Sequence, residues 1–257
     1  MTTQLKDEIV QIEGINIHVM RKGSGEPLIY LHGSNGNPAW TPFLESLSQH
    51  FDVIAPEHPG FGKSETAPWI REVDDLVYFY RSLLDHYGIE KAYFVGQSFG
   101  GWITAEFASS QTHRVKKFVL IAAAGIYKEG AERADLFAMS PEETISRLVH
   151  SPEAQQRLKE LSSSPEALSL SIRNTQAFAR FAWRISYNVK LPTRLRWAKA
   201  PALVLWGEFD RVISKEYADY YASLLPDAQA KIISNCGHLP YMEKPEETAN
   251  AVIDFCK

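Results

Sequence analysis

The stretch Gly96-Gln97-Ser98-Phe99-Gly100-Gly101 sets one serine among glycines, between the apolar run Tyr93-Phe94-Val95 and the helical pattern Trp102 to Ala108. This is the make-up of a nucleophile elbow, in which a strand turns sharply into a helix and presents a strained, exposed Oγ to a carbonyl. Side chains at 96 and 100 would collide with the strand, the helix or each other at so tight a turn, and glycine removes the collision. The helix opening behind Ser98 aims backbone N–H groups and the positive end of its dipole at the reaction centre. Chance also produces G-x-S-x-G, so the motif gains its weight from its downstream partners.

The first partner is an acid. Leu203-Val204-Leu205-Trp206-Gly207-Glu208-Phe209-Asp210 carries one at the carboxyl end of an apolar run, where the loops of parallel strands build sites in open α/β sheets. Asp210 is preferred to Glu208, which lies closer to the strand with poorer geometry toward a histidine on the next loop. The stretch Ala122-Ala123-Ala124-Gly125 after the preceding strand contains no acid. His238, in Ser234-Asn235-Cys236-Gly237-His238 after the last strand, completes the chain order serine, aspartate, histidine. In that arrangement His238 takes the Ser98 proton and returns it to the leaving group, while Asp210 fixes the imidazole tautomer and stabilises the imidazolium. His32-Gly33-Ser34-Asn35-Gly36 supplies the second oxyanion donor, the Ser34 backbone N–H, beside the Phe99 N–H that comes directly after the nucleophile. His32 is expected to shape this loop, and Asn35 to line the pocket.

These groups need a scaffold that brings three loops to one edge. Short apolar segments alternate with amphipathic helical patterns, the signature of a mostly parallel sheet covered by helices on both faces. Strands are expected over 9–13, 17–21, 28–31, 52–55, 92–95, 115–121, 202–206 and 230–233, the first two as an antiparallel hairpin around Gly14 at the sheet edge. Val73, Leu76, Val77, Tyr80, Leu83, Leu84 and Tyr87 form a core-facing helical stripe stopped by Gly88. A final helix is expected from Lys244-Pro245-Glu246-Glu247 to Phe255.

Between Ile126 and Lys199 the alternation stops and helical signals take over. Three segments there open alike, at Ser140-Pro141-Glu142, Ser151-Pro152-Glu153 and Ser164-Pro165-Glu166, with serine as N-cap and proline in the first turn. Only the first, through Glu143, completes a capping box. This interval holds 12 Lys+Arg against 8 Asp+Glu, a balance of +4, while the remainder carries −8. The division expected is therefore a core of residues 1–125 and 200–257 with a helical cap, or lid, of 126–199.

With 45% hydrophobic and 23% charged residues over 257 positions, the composition suits one α/β domain with an insertion. A net charge of −4 argues against nucleic acid or an anionic membrane as the main partner and points to a small molecule. The N-terminus lacks the apolar stretch of a signal peptide and no run approaches a membrane span, which reads as cytoplasmic. Cys236 and Cys256 have neither metal-ligand spacing nor a disulfide framework and are expected as reduced structural thiols, with Cys236 near the site and open to thiol reagents. No metal or cofactor is called for, and periodicity leaves the oligomeric state open.

Together these residues resemble the α/β-hydrolase superfamily, of the serine-nucleophile type with a helical cap after the sixth strand. The resemblance runs over nearly the whole chain, through His32-Gly33, the elbow, Asp210, Gly237-His238 and the loop Glu57-His58-Pro59-Gly60-Phe61-Gly62-Lys63-Ser64, where the family's pattern begins with Asp. It implies an α/β-hydrolase fold, a mostly parallel eight-stranded sheet flanked by helices. Serine at 98 argues against the haloalkane dehalogenase and epoxide hydrolase branches, which use aspartate. The resulting expectation is hydrolysis of a carboxylic ester through an acyl-enzyme. C–C hydrolases of keto acids are the alternative, sharing the His-Gly-Ser stretch and Ser-x-Gly-Gly. They place arginine and tryptophan near the substrate carboxylate, for which Arg180, Trp183, Arg184 and Trp197 are candidates, with surface cations and cap-core aromatics as the preferred reading of these four. Phe137, Phe178, Phe181 and Trp183, with Phe99, suggest a largely apolar pocket, and Phe178, Phe181 and Ile185 are expected on one helical face. A ligand receptor on the same fold, with an idle triad, is the reading from another class.

Overall fold

The structure is a computed structural model that describes residues 4–37 and 39–257. Strands β1 (Lys6–Ile12) and β2 (Ile15–Lys22) form a hairpin in which Ile12 faces Ile15. Its two-residue turn puts Glu13 at φ 50° and Gly14 at φ 79°, the positive pair that matches the twist of the flanking strands. The chain continues through β3 (Pro27–Leu31), α1 (Pro42–Ser48), β4 (Asp52–Pro56), α2 (Val73–His86), β5 (Ala92–Gln97), α3 (Phe99–Ser110) and β6 (Val115–Ile121). Helices α4 (Pro141–Leu148), α5 (Pro152–Leu161), α6 (Pro165–Ala182) and the single turn α7 (Leu191–Arg194) precede β7 (Ala202–Gly207). Helix α8 (Glu216–Leu224), β8 (Ala228–Ile233), the turn α9 (Pro240–Glu243) and α10 (Pro245–Cys256) complete the chain.

The eight strands lie in the order β1-β2-β4-β3-β5-β6-β7-β8, parallel except that β2 runs against both its neighbours. Alternation along the central strands feeds two cores. Ile29, Leu31, Phe94 and Leu120 face α2, α3 and α8, whereas Leu28, Tyr30, Val95 and Val119 face α1 and α10. Burying each such side chain stabilises the fold by roughly 1.5–3 kcal/mol. The α2 stripe is buried as expected up to Leu84, and Phe79, absent from the expected stripe, is also fully buried.

All three serine starts between β6 and β7 form their caps. The hydroxyls of Ser140, Ser151 and Ser164 accept from the N–H groups of Glu143 (3.2 Å), Ala154 (3.1 Å) and Ala167 (3.0 Å). Ser140 alone has its N–H bonded in return, to Glu143 Oε2 at 2.9 Å. Helix α6 ends at Ala182, so Ile185 lies beyond it, is exposed, and does not share a face with Phe178 and Phe181. The excursion closes on itself, because Gly125 and Tyr187 pair as a β-bridge and the Asn188 N–H donates to the Gly125 carbonyl at 2.8 Å. Leu191 and Leu195, on the return path to β7, are fully buried against the core. Among the described residues no helix is long and apolar enough to cross a membrane.

Candidate active site

Ser98 sits between β5 and α3 at φ 51°, ψ −109°, a backbone state that costs a non-glycine residue on the order of 1–3 kcal/mol. Its surroundings hold it there. The Ser98 N–H donates to the Ile121 carbonyl (2.8 Å), and its own carbonyl accepts from Trp102 (3.0 Å) and Ala124 (2.9 Å). A Cβ at Gly96 would run into the Gly100 carbonyl and Thr104, one at Gly100 into the Leu31 and His32 carbonyls, and one at Gly101 would come within 2.6 Å of Ala123 Cβ. The collisions expected at 96 and 100 therefore have named partners, and Gly101 shares the constraint.

Asp210 and His238 reach the same carboxyl edge of the sheet from the loops after β7 and β8. Asp210 Oδ2 lies 2.7 Å from His238 Nδ1, while Oδ1 accepts from the N–H groups of Val212 (2.8 Å) and Ile213 (2.9 Å). That pairing puts the His238 proton on Nδ1 and leaves Nε2 as a base. Glu208, the acid set aside, instead accepts from the Asn235 N–H at 3.1 Å. The histidine loop has a further brace. Glu243 accepts from Gly237 N–H (2.6 Å) with one oxygen and from His150 (2.8 Å) and Ser151 (3.0 Å) with the other, and the His238 N–H donates to the Leu148 carbonyl at 2.9 Å. Cys236 is fully buried beside Glu243, and burial together with that carboxylate pushes its thiol far up. This corrects the expected access for thiol reagents, since the reactive thiolate is disfavoured there.

The loop after β3 closes as a turn in which the Gly36 N–H donates to the Gly33 carbonyl at 3.1 Å, with Ser34 and Asn35 as its central residues. Among the described residues, neither the Ser34 nor the Phe99 N–H is paired with another group of the protein. His32 Nδ1 donates to the Gly33 carbonyl (2.7 Å), and its Nε2 accepts from the His58 N–H (2.9 Å). His58 Nε2 in turn donates to the His32 carbonyl (2.8 Å), and its Nδ1 meets the Tyr80 hydroxyl. Both rings are fully enclosed, and burial lowers His32 to about 4 and His58 well below its ordinary value, so the pair is neutral. His32 thus shapes the loop.

Glu57, where the family's pattern has Asp, is buried against His18 (2.8 Å) and accepts from the Lys63 N–H (2.7 Å). His18 is bonded on its other nitrogen to Asp7 at 2.7 Å, and these two carboxylates raise its pKa.

Phe99 makes ring contacts with Phe178 (5.2 Å) and Phe181 (5.4 Å), and Phe178 with Phe137 (5.3 Å). Trp183 joins this group through Phe137 but is 68% exposed, placing it at the rim. Asn35 contributes its carbonyl, bonded to Asn174, while its side chain faces outward. Of the candidates for a carboxylate, Arg180 donates to the carbonyls of Ala67 and Ile70 and Arg184 is exposed. Trp197 lines a separate hollow of about 290 Å³ with Asp74, Tyr78, Glu106 and Arg194. Sequence reasoning missed Asn174 and Glu243, whose partners lie up to 139 residues away.

The sequence is 28% identical to a 2-hydroxy-6-oxo-6-phenylhexa-2,4-dienoate hydrolase of Burkholderia cepacia, over 95% of this chain and 92% of that protein. It is 27% identical to a 2-hydroxy-6-oxononadienedioate/2-hydroxy-6-oxononatrienedioate hydrolase of Comamonas testosteroni, with the same coverage. Among solved structures, a membrane phospholipase A superposes with a TM-score of 0.78 at 27% identity, over 98% of this chain and 85% of that one. A profile described as the alpha/beta hydrolase family matches residues 28–251, and the chain belongs to that family.

Proposed function

We propose that the protein is a serine hydrolase that cleaves the C–C bond beside the oxo group of a small oxo-dienoic acid through an acyl-enzyme. The observation that carries the triad reading is the Asp210–His238 hydrogen bond on the sheet edge that also carries the strained Ser98 turn. The choice of bond is supported by relatives named for such acids over nearly their full length.

In this reading Ser98 Oγ attacks the oxo carbonyl as His238 Nε2 accepts its proton, and Asp210 stabilises the resulting imidazolium. The oxyanion meets the Ser34 and Phe99 N–H groups and the amino end of α3, each donor contributing about 2.7–4 kcal/mol. Cleavage requires the 2-hydroxy-2,4-dienoic acid to be in its keto form, the enol proton having moved from the 2-hydroxyl to C5. The C5–C6 bond then breaks with its electron pair moving into the 2-oxo-3-ene as a dienolate, and that fragment takes the proton from His238. Water adds to the acyl-enzyme, again with His238 as base, and releases the acid. Phe99, Phe137, Phe178 and Phe181 give an apolar wall suited to the acyl side of the substrate.

Ester cleavage is the second reading, favoured by the likeness to a phospholipase and by the engagement of Arg180 with backbone carbonyls rather than with open space for a substrate carboxylate. Turnover of a 2-hydroxy-6-oxo-2,4-dienoic acid compared with a series of p-nitrophenyl acyl esters separates the two. The proposal expects higher kcat/KM on the oxo acid and loss of at least 10³-fold in Ser98→Ala. Turnover of esters alone selects the second reading, and absence of both activities refutes the hydrolase.

A further inference from the structure

Helix α6 meets the core through one face, which carries Arg173, Asn174, Ala177, Phe178, Arg180 and Phe181. Most of its polar ties go to the loop after β4, with Arg173 donating to the Ser64 carbonyl (2.9 Å) and Arg180 to those of Ala67 and Ile70. Asn174 differs because its second bond goes elsewhere. It is 1% exposed, its Oδ1 accepts from the Gly62 N–H at 2.9 Å, and its Nδ2 donates to the Asn35 carbonyl at 2.7 Å. The amide has one workable orientation, since a backbone N–H can only donate and a carbonyl can only accept.

The Asn35 carbonyl belongs to the peptide whose N–H, on Gly36, closes the turn onto Gly33. That peptide is therefore clamped at both ends, once by the turn and once by α6. Space is reserved for the clamp, because a Cβ at Gly36, where φ is +83°, would stand 2.5 Å from Asn174 Nδ2. The turn carries Ser34, whose N–H is the outer oxyanion donor of the proposed reaction. Its other braces, from His32 and Gly36, arise within the loop or beside it.

We propose that Asn174 is a positioning residue for the oxyanion hole. Resting on the Ser98 triad reading, it makes the Ser34 donor depend on the seating of α6, so that the helix bearing the apolar wall Phe178 and Phe181 also sets the alignment of the hole. A donor displaced by about 1 Å costs on the order of 10²-fold in rate.

The test is the rate at which a fluorophosphonate labels Ser98, resolved into a binding constant and a maximal rate, with affinity for benzeneboronic acid as a tetrahedral mimic. Neither requires the natural substrate. Asn174→Asp keeps the acceptor for Gly62 but sets an oxygen against the Asn35 carbonyl. It is expected to lower the maximal labelling rate at least tenfold, to leave the binding constant within twofold, and to weaken the boronic acid by a similar factor. Gly36→Ala, which pushes on the same amide from the other side, is expected to act alike if Asn174→Asp folds poorly. Arg173→Gln removes an α6 tie that does not touch the turn and is expected to lower Tm while leaving the maximal rate within twofold. Wild-type rates in Asn174→Asp and Gly36→Ala, or an equal loss in Arg173→Gln, overturn the proposal. Labelling that persists in Ser98→Ala overturns the triad reading and the clamp together, whereas a silent Ser98→Ala with unaffected Asn174→Asp removes the clamp alone.

Discussion

The two halves of the site are braced by different chemistry. Beside β7 and β8, anions hold the loops: Asp210 binds Val212, Ile213 and His238, and Glu243 binds Gly237, His150 and Ser151. Around the turn at Ser34, neutral groups do the same work, namely His32, His58, Tyr80 and the Asn174 amide. The difference tracks the sign of the charge each half must receive. In the proposed reaction positive charge develops on His238, which carboxylates favour. In the same reaction negative charge develops between Ser34 and Phe99, where a carboxylate would oppose it and fixed dipoles support it.

Removing the anion from the first half gives the largest expected effect. Asp210→Asn is expected to lower kcat by about 10⁴-fold through the wrong imidazole tautomer, measured on whichever substrate Ser98 turns over. The second half is broken by acid. A histidine whose pKa is lowered in the folded state contributes stability that is full above the unfolded value near 6.5 and is lost as pH falls toward the folded value. His32, at about 4, is expected to cost roughly 3 kcal/mol by pH 4, read by urea unfolding across that window. His18 runs the other way, since its raised pKa makes its contribution full below 6.5 and lost as pH rises through the raised value. Imidazole ¹⁵N shifts at pH 6 are expected to show His18 charged while His32 and His58 are neutral. Glu243→Gln is expected to lower stability by about 1–3 kcal/mol and kcat less than tenfold, because one acceptor is retained. Trp183→Ala, at the exposed rim, is expected to shift stability by no more than about 0.5 kcal/mol, with kcat within twofold.

Much of the site is legible in the sequence because it is local. The glycines at 96 and 100 meet atoms within a few residues or on the adjoining strand, and the order Ser98, Asp210, His238 is set by strand ends that apolar runs mark clearly. The eight-stranded sheet arises from the same alternation. Spacing does not reveal pairing across the chain. Glu57 reads as a plain departure from the family's pattern until His18 and Asp7 are placed beside it, 39 and 50 positions earlier, from the hairpin at the sheet edge. Asn174 resembles any polar residue of an amphipathic helix, and only packing shows both ends of its amide occupied. The aromatic wall is half legible, since Phe178 and Phe181 lie one turn apart while the end of α6 puts Ile185 outside it.

The bridge between Gly125 and Tyr187 bears on how such a protein can change over generations. The 61 residues between them leave and rejoin the sheet side at one point, so β6 and β7 pair without regard to their number. Doubling the length of a flexible link between the helices of this excursion costs only about 0.6 kcal/mol in closure entropy. Changes of length are therefore tolerated in the links between its helices, and are prohibitive where it reaches back to the core, at Leu148 beside His238 and at Asn174 beside Asn35. A lineage can revise the links between these helices freely, but the few contacts that tie them to the sheet side are inherited together with it.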